Sequence, residues 1–325
     1  MKKLSVIIPC YNAERFLRQC IESMKPQIND DIEVICVNDG SKDNTLNVLN
    51  ELHKEMPQLQ VVDQPNGGSA AARNNGFAHA TGEYVWYVDA DDLLAIDAFE
   101  TIIKTLEQTD CDSIIFGLKW IDEDGNVVTP YKKEYHTESV VSGTEAYLLE
   151  NIPSFPWNRA FRRDFLEENN LCFRTIRPDD EDFDLRTYAC SKRTVFLNKC
   201  LYDYRIVKMS DSRNPNSFLK YIDGYFVLLD DHLKLFEKHQ NKEFGAKLSF
   251  NCVKNMYLKL AGYEFAGGKD YNKAEMFAKM KTMLERILPI YKCGTVYYFM
   301  LSVAKFSPSF GYTLLKNMYK LKKGL

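Results

Sequence analysis

The chain has 325 residues, 45% hydrophobic and 27% charged, which excludes intrinsic disorder and provides core material for one large or two ordinary domains. Its formal net charge of -3 argues against a general nucleic-acid binder, which needs a basic surface. Nine scattered cysteines without a C-x-x-C pair indicate neither a zinc site nor a disulfide framework, and read as buried fillers in a reducing compartment.

Met1-Lys2-Lys3 starts like a signal peptide, but the apolar run behind it covers only Leu4 to Ile8 before Pro9, Asn12, Glu14 and Arg15. Nothing later approaches the ~20 apolar residues that span a bilayer, so a cytoplasmic protein is expected. Leu4 to Ile8 is a strand, and Asn12 to Met24 a helix with Phe16, Leu17, Cys20, Ile21 and Met24 on one face. Ile32 to Val37 is a second strand, stopped by Asn38-Asp39-Gly40-Ser41, with a helix from Asp43 or Thr45 behind it. Leu59 to Val62 makes a third strand, Asn66-Gly67-Gly68-Ser69 a turn, and Ala70 to Ala80 a helix of small residues. Glu83 to Val88 makes a fourth strand, apolar throughout and therefore buried on both faces, which stops at Asp89-Ala90-Asp91-Asp92.

Strand and helix alternating at this spacing predict an α/β fold, a mostly parallel sheet with helices on both faces. Ligands of such sheets bind at the carboxyl edge of the strands, where an acidic cluster suits a hard divalent cation set against a phosphate. The alternative is an acidic turn capping the next helix. Beyond a helix at Ile96 to Leu106 and a strand at Ser113 to Phe116, residues 122–126 read as a hairpin turn. From Phe218 onward the chain is helical in pattern, with Tyr225, Leu228, Leu229, Leu233 and Phe236 on one face. Asp89 and Asp91, two apart on extended backbone, project to the same side.

The segments Ser5-Val6-Ile7-Ile8-Pro9-Cys10-Tyr11-Asn12, Val37-Asn38-Asp39-Gly40-Ser41-x-Asp43 and Asn66-Gly67-Gly68-x4-Arg73-Asn74-x-Gly76 resemble the family 2 glycosyltransferases of GT-A fold. Asp89-Ala90-Asp91-Asp92, a DXD motif, Trp157-Asn158 and Glu181-Asp182 continue the resemblance, which runs from Leu4 to about Ser212. It implies an inverting transfer from a nucleotide sugar with Mg2+ or Mn2+, and a Rossmann-like GT-A sheet followed by a C-terminal helical extension. The donor half is placed at 1–115, the acceptor-facing half at 116–212, and the extension at 213–325.

The same resemblance implies the roles of individual residues. Asp39 falls where the family contacts uracil, so UDP is the favoured nucleotide; shaping its own turn is the alternative. Pro9 and Tyr11 form the wall of the base pocket. Arg73, among Ala70, Ala71 and Ala72, reaches the base or an Asp that binds it. Asp89, with Ala90, contacts the nucleotide, and Asp91 ligates the metal between diphosphate oxygens. Asp92 is left to the following helix.

Inversion requires one base on the acceptor hydroxyl, since UDP leaves readily once a cation neutralises the developing charge. Within Asp179-Asp180-Glu181-Asp182-Phe183, the family's Glu-Asp pair is matched to Glu181-Asp182, which makes Asp182 the expected base. A helix N-terminal cluster favoured by the macrodipole is the alternative. Trp157 and Asn158 are placed on the acceptor side, with a buried core Trp the equal alternative. The family's mobile loop is matched to Tyr202 through Ser212; it lacks the family's His, leaving Arg205 or Lys208 as its cation.

Expected partners are a UDP-sugar and a saccharide or lipid-linked acceptor, and an oligomer is compatible with the sequence. Aromatics from Tyr297 to Tyr312 beside Lys316, Lys320, Lys322 and Lys323 suit either a peripheral membrane contact or packing within the protein. Three other classes are weighed: a catalytically weak nucleotide-sugar-binding scaffold, a metal phosphohydrolase, and a nicotinamide dehydrogenase. The second leaves Asp39 and Asp182 unexplained, and the third lacks the G-x-G-x-x-G after strand one.

Overall fold

The computed structural model describes residues 2–129, 139–149, 155–207 and 217–323. By Cα packing the chain divides into two compact units, one of residues 1–146, 152–175 and 179–208, the other of 147–151, 176–178 and 209–325. The first begins β1 (Leu4–Cys10), α1 (Leu17–Met24), β2 (Ile32–Asp39), α2 (Thr45–Glu55), β3 (Leu59–Gln64), α3 (Ser69–His79) and β4 (Tyr84–Tyr87). It continues with β5 (Leu93–Leu94), α4 (Ala98–Thr109), β6 (Ser113–Ile121), β7 (Val127–Thr129) and α5 (Gly143–Leu149), whose last residues belong to the second unit. β8 (Arg159–Arg162), α6 (Arg163–Glu168), α7 (Asp179–Cys190) and β9 (Thr194–Arg205) complete it.

One sheet runs in the order β3-β2-β1-β4-β8-β6-β9-β5, with β7 beside β6. β1, β2, β3 and β4 are mutually parallel, so the carboxyl ends of β1, β2 and β4 share an edge. β8 then runs antiparallel between β4 and β6, and β9 runs parallel to β6. The expected boundary at 115/116 therefore falls inside β6, and the other, at 212/213, lies outside the described residues.

Each central strand feeds two cores, as its unbroken apolar sequence requires. Leu4, Val6 and Ile8 of β1, with Tyr84 and Trp86 of β4, enter one core with α1, α2 and α4. Ile7, Val85 and Tyr87 face the other, shared with α3 and with Phe161, Phe173 and Phe183. The first helix begins at Leu17, later than its sequence pattern. Asn12 has φ 51°, and the Ala13 and Glu14 amides donate to Thr45 Oγ1 and Asp43 Oδ2, which ties this loop to the start of α2.

The second unit is helical: α8 (Phe218–His239), α9 (Lys242–Phe265), α10 (Lys273–Ile290), α11 (Val296–Phe306) and α12 (Pro308–Lys323). Asn241, Asn272 and Thr295 cap α9, α10 and α11 with side-chain oxygens that accept first-turn amides. Leu301, Ala304 and Tyr312 are buried, and Tyr312 and Lys316 both bond Glu264, so part of the C-terminal aromatic segment packs internally. Among the described residues no helix is long and apolar enough to cross a membrane. All nine cysteines are free, five of them buried.

Candidate active site at the strand ends

Asp39 closes β2, and its carboxylate organises the turn after β3. Asp39 Oδ1 accepts from Gln64 Nε2 at 2.7 Å and the Gly67 amide at 2.8 Å, and Oδ2 accepts from the Gly68 amide at 2.8 Å. Gly40 (φ 64°) and Gly68 (φ 85°) supply the left-handed backbone that this wrapping needs. The turn-shaping role is thus present. Since a carboxylate accepts about four hydrogen bonds, roughly one acceptor site remains. Pro9 and Tyr11 stand at the same sheet edge, Tyr11 exposed.

The acids after β4 divide by environment. Asp92 is buried and binds β9: its Oδ2 accepts from Tyr202 Oη at 2.6 Å, and its Oδ1 from the Arg205 amide at 2.6 Å. It caps no helix. Burial, then the charges of Asp91 and Asp89, push its carboxyl well above the usual range. Asp89 and Asp91 are less buried, and Ala90 between them is buried. Burial and the neighbouring Asp89 charge push Asp91 up to about 6. Such a crowded carboxylate pair suits a divalent cation, which would remove the repulsion. Among the described residues no three His, Cys, Asp or Glu side chains converge as a ready cage. Diphosphate and water would have to complete the shell, as is common for magnesium.

Arg73 links this edge to α7. One guanidinium nitrogen donates to Asp89 Oδ1 at 2.9 Å, the other to Asp180 Oδ1 at 2.8 Å, with Asp179 Oδ2 at 3.5 Å. Burial would lower its pKa, but Asp180, Asp89 and Asp179 hold it above its ordinary value. Asp179 is buried and accepts from Ser69 Oγ at 2.7 Å. The Asp180 side chain is 34% exposed, and burial pushes its carboxyl up to about 7 against the pull of Arg73.

Asp182 stands elsewhere, which corrects the expected base. It is fully buried, and both oxygens are taken by Arg174 and Arg186, with Arg174 Nε at 2.9 Å and Arg186 Nη2 at 2.9 Å. A carboxylate so clamped has no path to an acceptor hydroxyl. Phe183 stacks on Phe173 at 4.0 Å and meets Tyr87 edge-on, which fixes the rotation of α7. The sequence did carry the warning: Asp182 and Arg186 are four apart, the spacing of a helical ion pair.

For Trp157 the core alternative holds, and the expected role of Arg205 is corrected. Trp157 is a buried core residue in an aromatic stack, with ring centroids 4.5 Å from Phe155, 4.7 Å from Tyr202 and 5.0 Å from Tyr204. Its carbonyl accepts from Trp86 Nε1 at 2.7 Å, so it supports β4 and offers no face to a sugar. Arg205 is buried and donates to the carbonyls of Asp91 (2.6 Å) and Glu123 (2.7 Å) and to Gln19 Oε1 (3.0 Å). It is a structural tie between β9 and the acidic loop, where a loop cation facing a diphosphate was expected. Asn158 is buried with its Oδ1 unpaired, Glu181 is partly exposed in the first turn of α7, and Lys208 lies outside the described residues. Asp180, Ser69 and Tyr202 lie inside the quoted segments, but the motifs gave none of them a role of its own.

Comparison with known proteins bears on the family and the fold. A family model described as "Glycosyl transferase family 2" matches residues 5–169. The Bacillus subtilis protein named "Uncharacterized glycosyltransferase EpsJ" is 30% identical over 257 residues, which cover 76% of this chain and 69% of EpsJ. YibD of Escherichia coli K12, also named a glycosyltransferase, is 31% identical over 268 residues and 78% of each chain. Among solved structures, S. aureus TarS 1-349 in complex with UDP-GlcNAc has a TM-score of 0.69 at 18% identity, over 98% of this chain and 92% of that one. At that identity the likeness shows a shared fold.

Proposed function

The chain belongs to glycosyl transferase family 2, and on that premise we propose that it moves a sugar from a UDP-sugar to a hydroxyl of a saccharide or lipid-linked acceptor with inversion, in surface polysaccharide assembly. The observation that carries this reading is the Arg73 bridge, which brings Asp89 at the end of β4 and Asp180 at the start of α7 to one guanidinium. Two acids distant in sequence are thereby held at one guanidinium, which supports reading Asp89 as a nucleotide contact and Asp180 as the proton acceptor. The favoured nucleotide rests on Asp39 and on the UDP-GlcNAc bound by TarS.

In this mechanism Pro9, Tyr11 and the remaining acceptor site of Asp39 receive the base, and Asp89 and Asp91 face the diphosphate. A Mg2+ or Mn2+ ion held by Asp89 and Asp91 would neutralise the charge that grows on the leaving UDP. Asp180 takes the proton of the acceptor hydroxyl as its oxygen attacks the anomeric carbon. Its raised pKa makes it a better base than an ordinary carboxylate, and at about 7 a large share of it is still ionised at neutral pH, roughly half. Arg73 keeps Asp180 oriented while it is ionised.

The test is a panel of UDP-sugars scored by Mn2+-dependent thermal stabilisation and by slow donor hydrolysis. A cognate donor at a hundredfold its Kd should stabilise the protein by about 2.7 kcal/mol. Asp91→Ala should remove the metal dependence of that shift. Stabilisation that persists unchanged without metal would refute the assignment of Asp91, and stabilisation without any hydrolysis would favour a binding scaffold.

A further inference from the structure

In the second unit α11 is apolar on two faces, where a surface helix should have one. Leu301 and Ala304 are buried, and Tyr297 packs near Phe250 at 5.8 Å. Val296, Phe299, Val303 and Phe306 recur at the three- and four-residue steps of a second stripe. That stripe is open: Phe299 is 64% exposed and Phe306 is 93% exposed, and Phe310 at the start of α12 is 59% exposed. Between the helices, Ser302, Val303, Phe306, Ser307 and Phe310 line an open groove of about 480 Å³. Three large aromatics on one helical hairpin form the kind of apolar patch that marks an interaction surface.

Charge identifies the partner. Residues 287–325 contain six lysines and no aspartate or glutamate, in a chain whose formal net charge is -3. A second copy is a poor occupant, because a twofold contact would set this basic segment against itself. An anionic lipid surface meets both halves of the chemistry, taking aromatic rings into its interface and attracting lysines to its headgroups.

We infer that the α11–α12 hairpin docks on an anionic lipid bilayer surface, with Phe299, Phe306 and Phe310 entering the interface and the net positive charge of residues 287–325 attracting it to lipid phosphate. None of these residues is among those assigned to the donor site, and the inference does not depend on which sugar is transferred.

The experiment is sedimentation of the full chain with vesicles of phosphatidylcholine alone and of phosphatidylcholine with one quarter phosphatidylglycerol. Binding should be at least tenfold stronger to the anionic vesicles and should weaken from 50 to 500 mM NaCl. The variant F299S/F306S/F310S should lose at least tenfold in binding while its melting temperature and UDP-sugar hydrolysis stay unchanged, since the three rings are exposed. K320E/K322E/K323E should bind more weakly and lose salt dependence. Absence of sedimentation, equal binding to neutral vesicles, or unaltered binding by the serine variant would overturn the inference. So would a wild-type oligomer that the serine variant dissolves without any change in vesicle binding.

Discussion

Arg73 joins Asp89 and Asp180 through separate nitrogens, while Asp182, two residues further along, is locked to Arg174 and Arg186. The two carboxylates should therefore respond differently to the same change. Asp180→Asn should lower kcat by about 10²- to 10⁴-fold, the contribution of a general base, while UDP affinity and melting temperature hold. Asp182→Asn should instead cost about 3 kcal/mol of stability, the low end for breaking a buried pair because Arg174 stays partly hydrated. Turnover per folded molecule should survive. Paired kinetics and urea denaturation read both, and the reverse pattern would return the base to Asp182. With the Asp180 carboxyl at about 7, kcat at saturating donor should fall tenfold per unit below that pH as the base protonates. A profile flat from pH 5 to 8 would exclude Asp180 as the base.

At the scale of elements, β9 does more for the site than its motif suggests. Tyr202 bonds Asp92 and accepts the Asp89 amide at 3.1 Å, and Trp157 stacks on Tyr202 beneath β4. The acidic loop is thus held from below by aromatic packing. Trp157→Ala should cost about 3–5 kcal/mol in chemical denaturation. Tyr202→Phe should cost roughly 1–3 kcal/mol by leaving Asp92 short of a donor, and should weaken metal-dependent UDP binding. A Trp157→Ala protein of unchanged stability with impaired acceptor use would restore the sugar-stacking role. Strand and helix existence was legible here, because burial on both faces writes continuous apolar runs and the 3.6-residue period writes helices. Helix starts were less so: the late start of α1 depends on bonds from its loop to Thr45 and Asp43, made by another turn.

At the scale of the whole molecule, the two units should respond oppositely to pH. In the first, the carboxyls of Asp91 (about 6), Asp180 (about 7) and Asp184 (about 7) are raised, chiefly by burial. Raised acids bind protons more tightly folded than unfolded, so their contribution to stability declines as pH climbs from about 4 to 7. In the second unit, burial lowers His232 to about 3 and His239 to about 4, from 6.5. These imidazoles are neutral when folded but protonate when unfolded, so that unit gains stability between about pH 4 and 6.5 and loses it on acidification. Hydrogen exchange followed by peptide in chelator, at pH 5 and 7.5 with intrinsic rates corrected, should show protection shifting from sheet peptides to α8 and α9 peptides. A common trend in both units would refute the separation.

The sequence by itself determined the parallel half of the sheet and the strand ends at which Asp39, Asp89 and Asp91 stand. Strand burial and strand termination are written locally, in runs of apolar residues and the polar residue that breaks them. It could not determine which of four consecutive acids on α7 meets Arg73. Neighbouring helix positions differ by about 100° in direction, and that direction is set by Phe183 against Phe173 and by Arg174 arriving from outside the helix. The same limit governed Trp157 and Arg205. Whether a large side chain faces a ligand or a core depends on partners contributed by distant segments, and only tertiary packing brings those partners together.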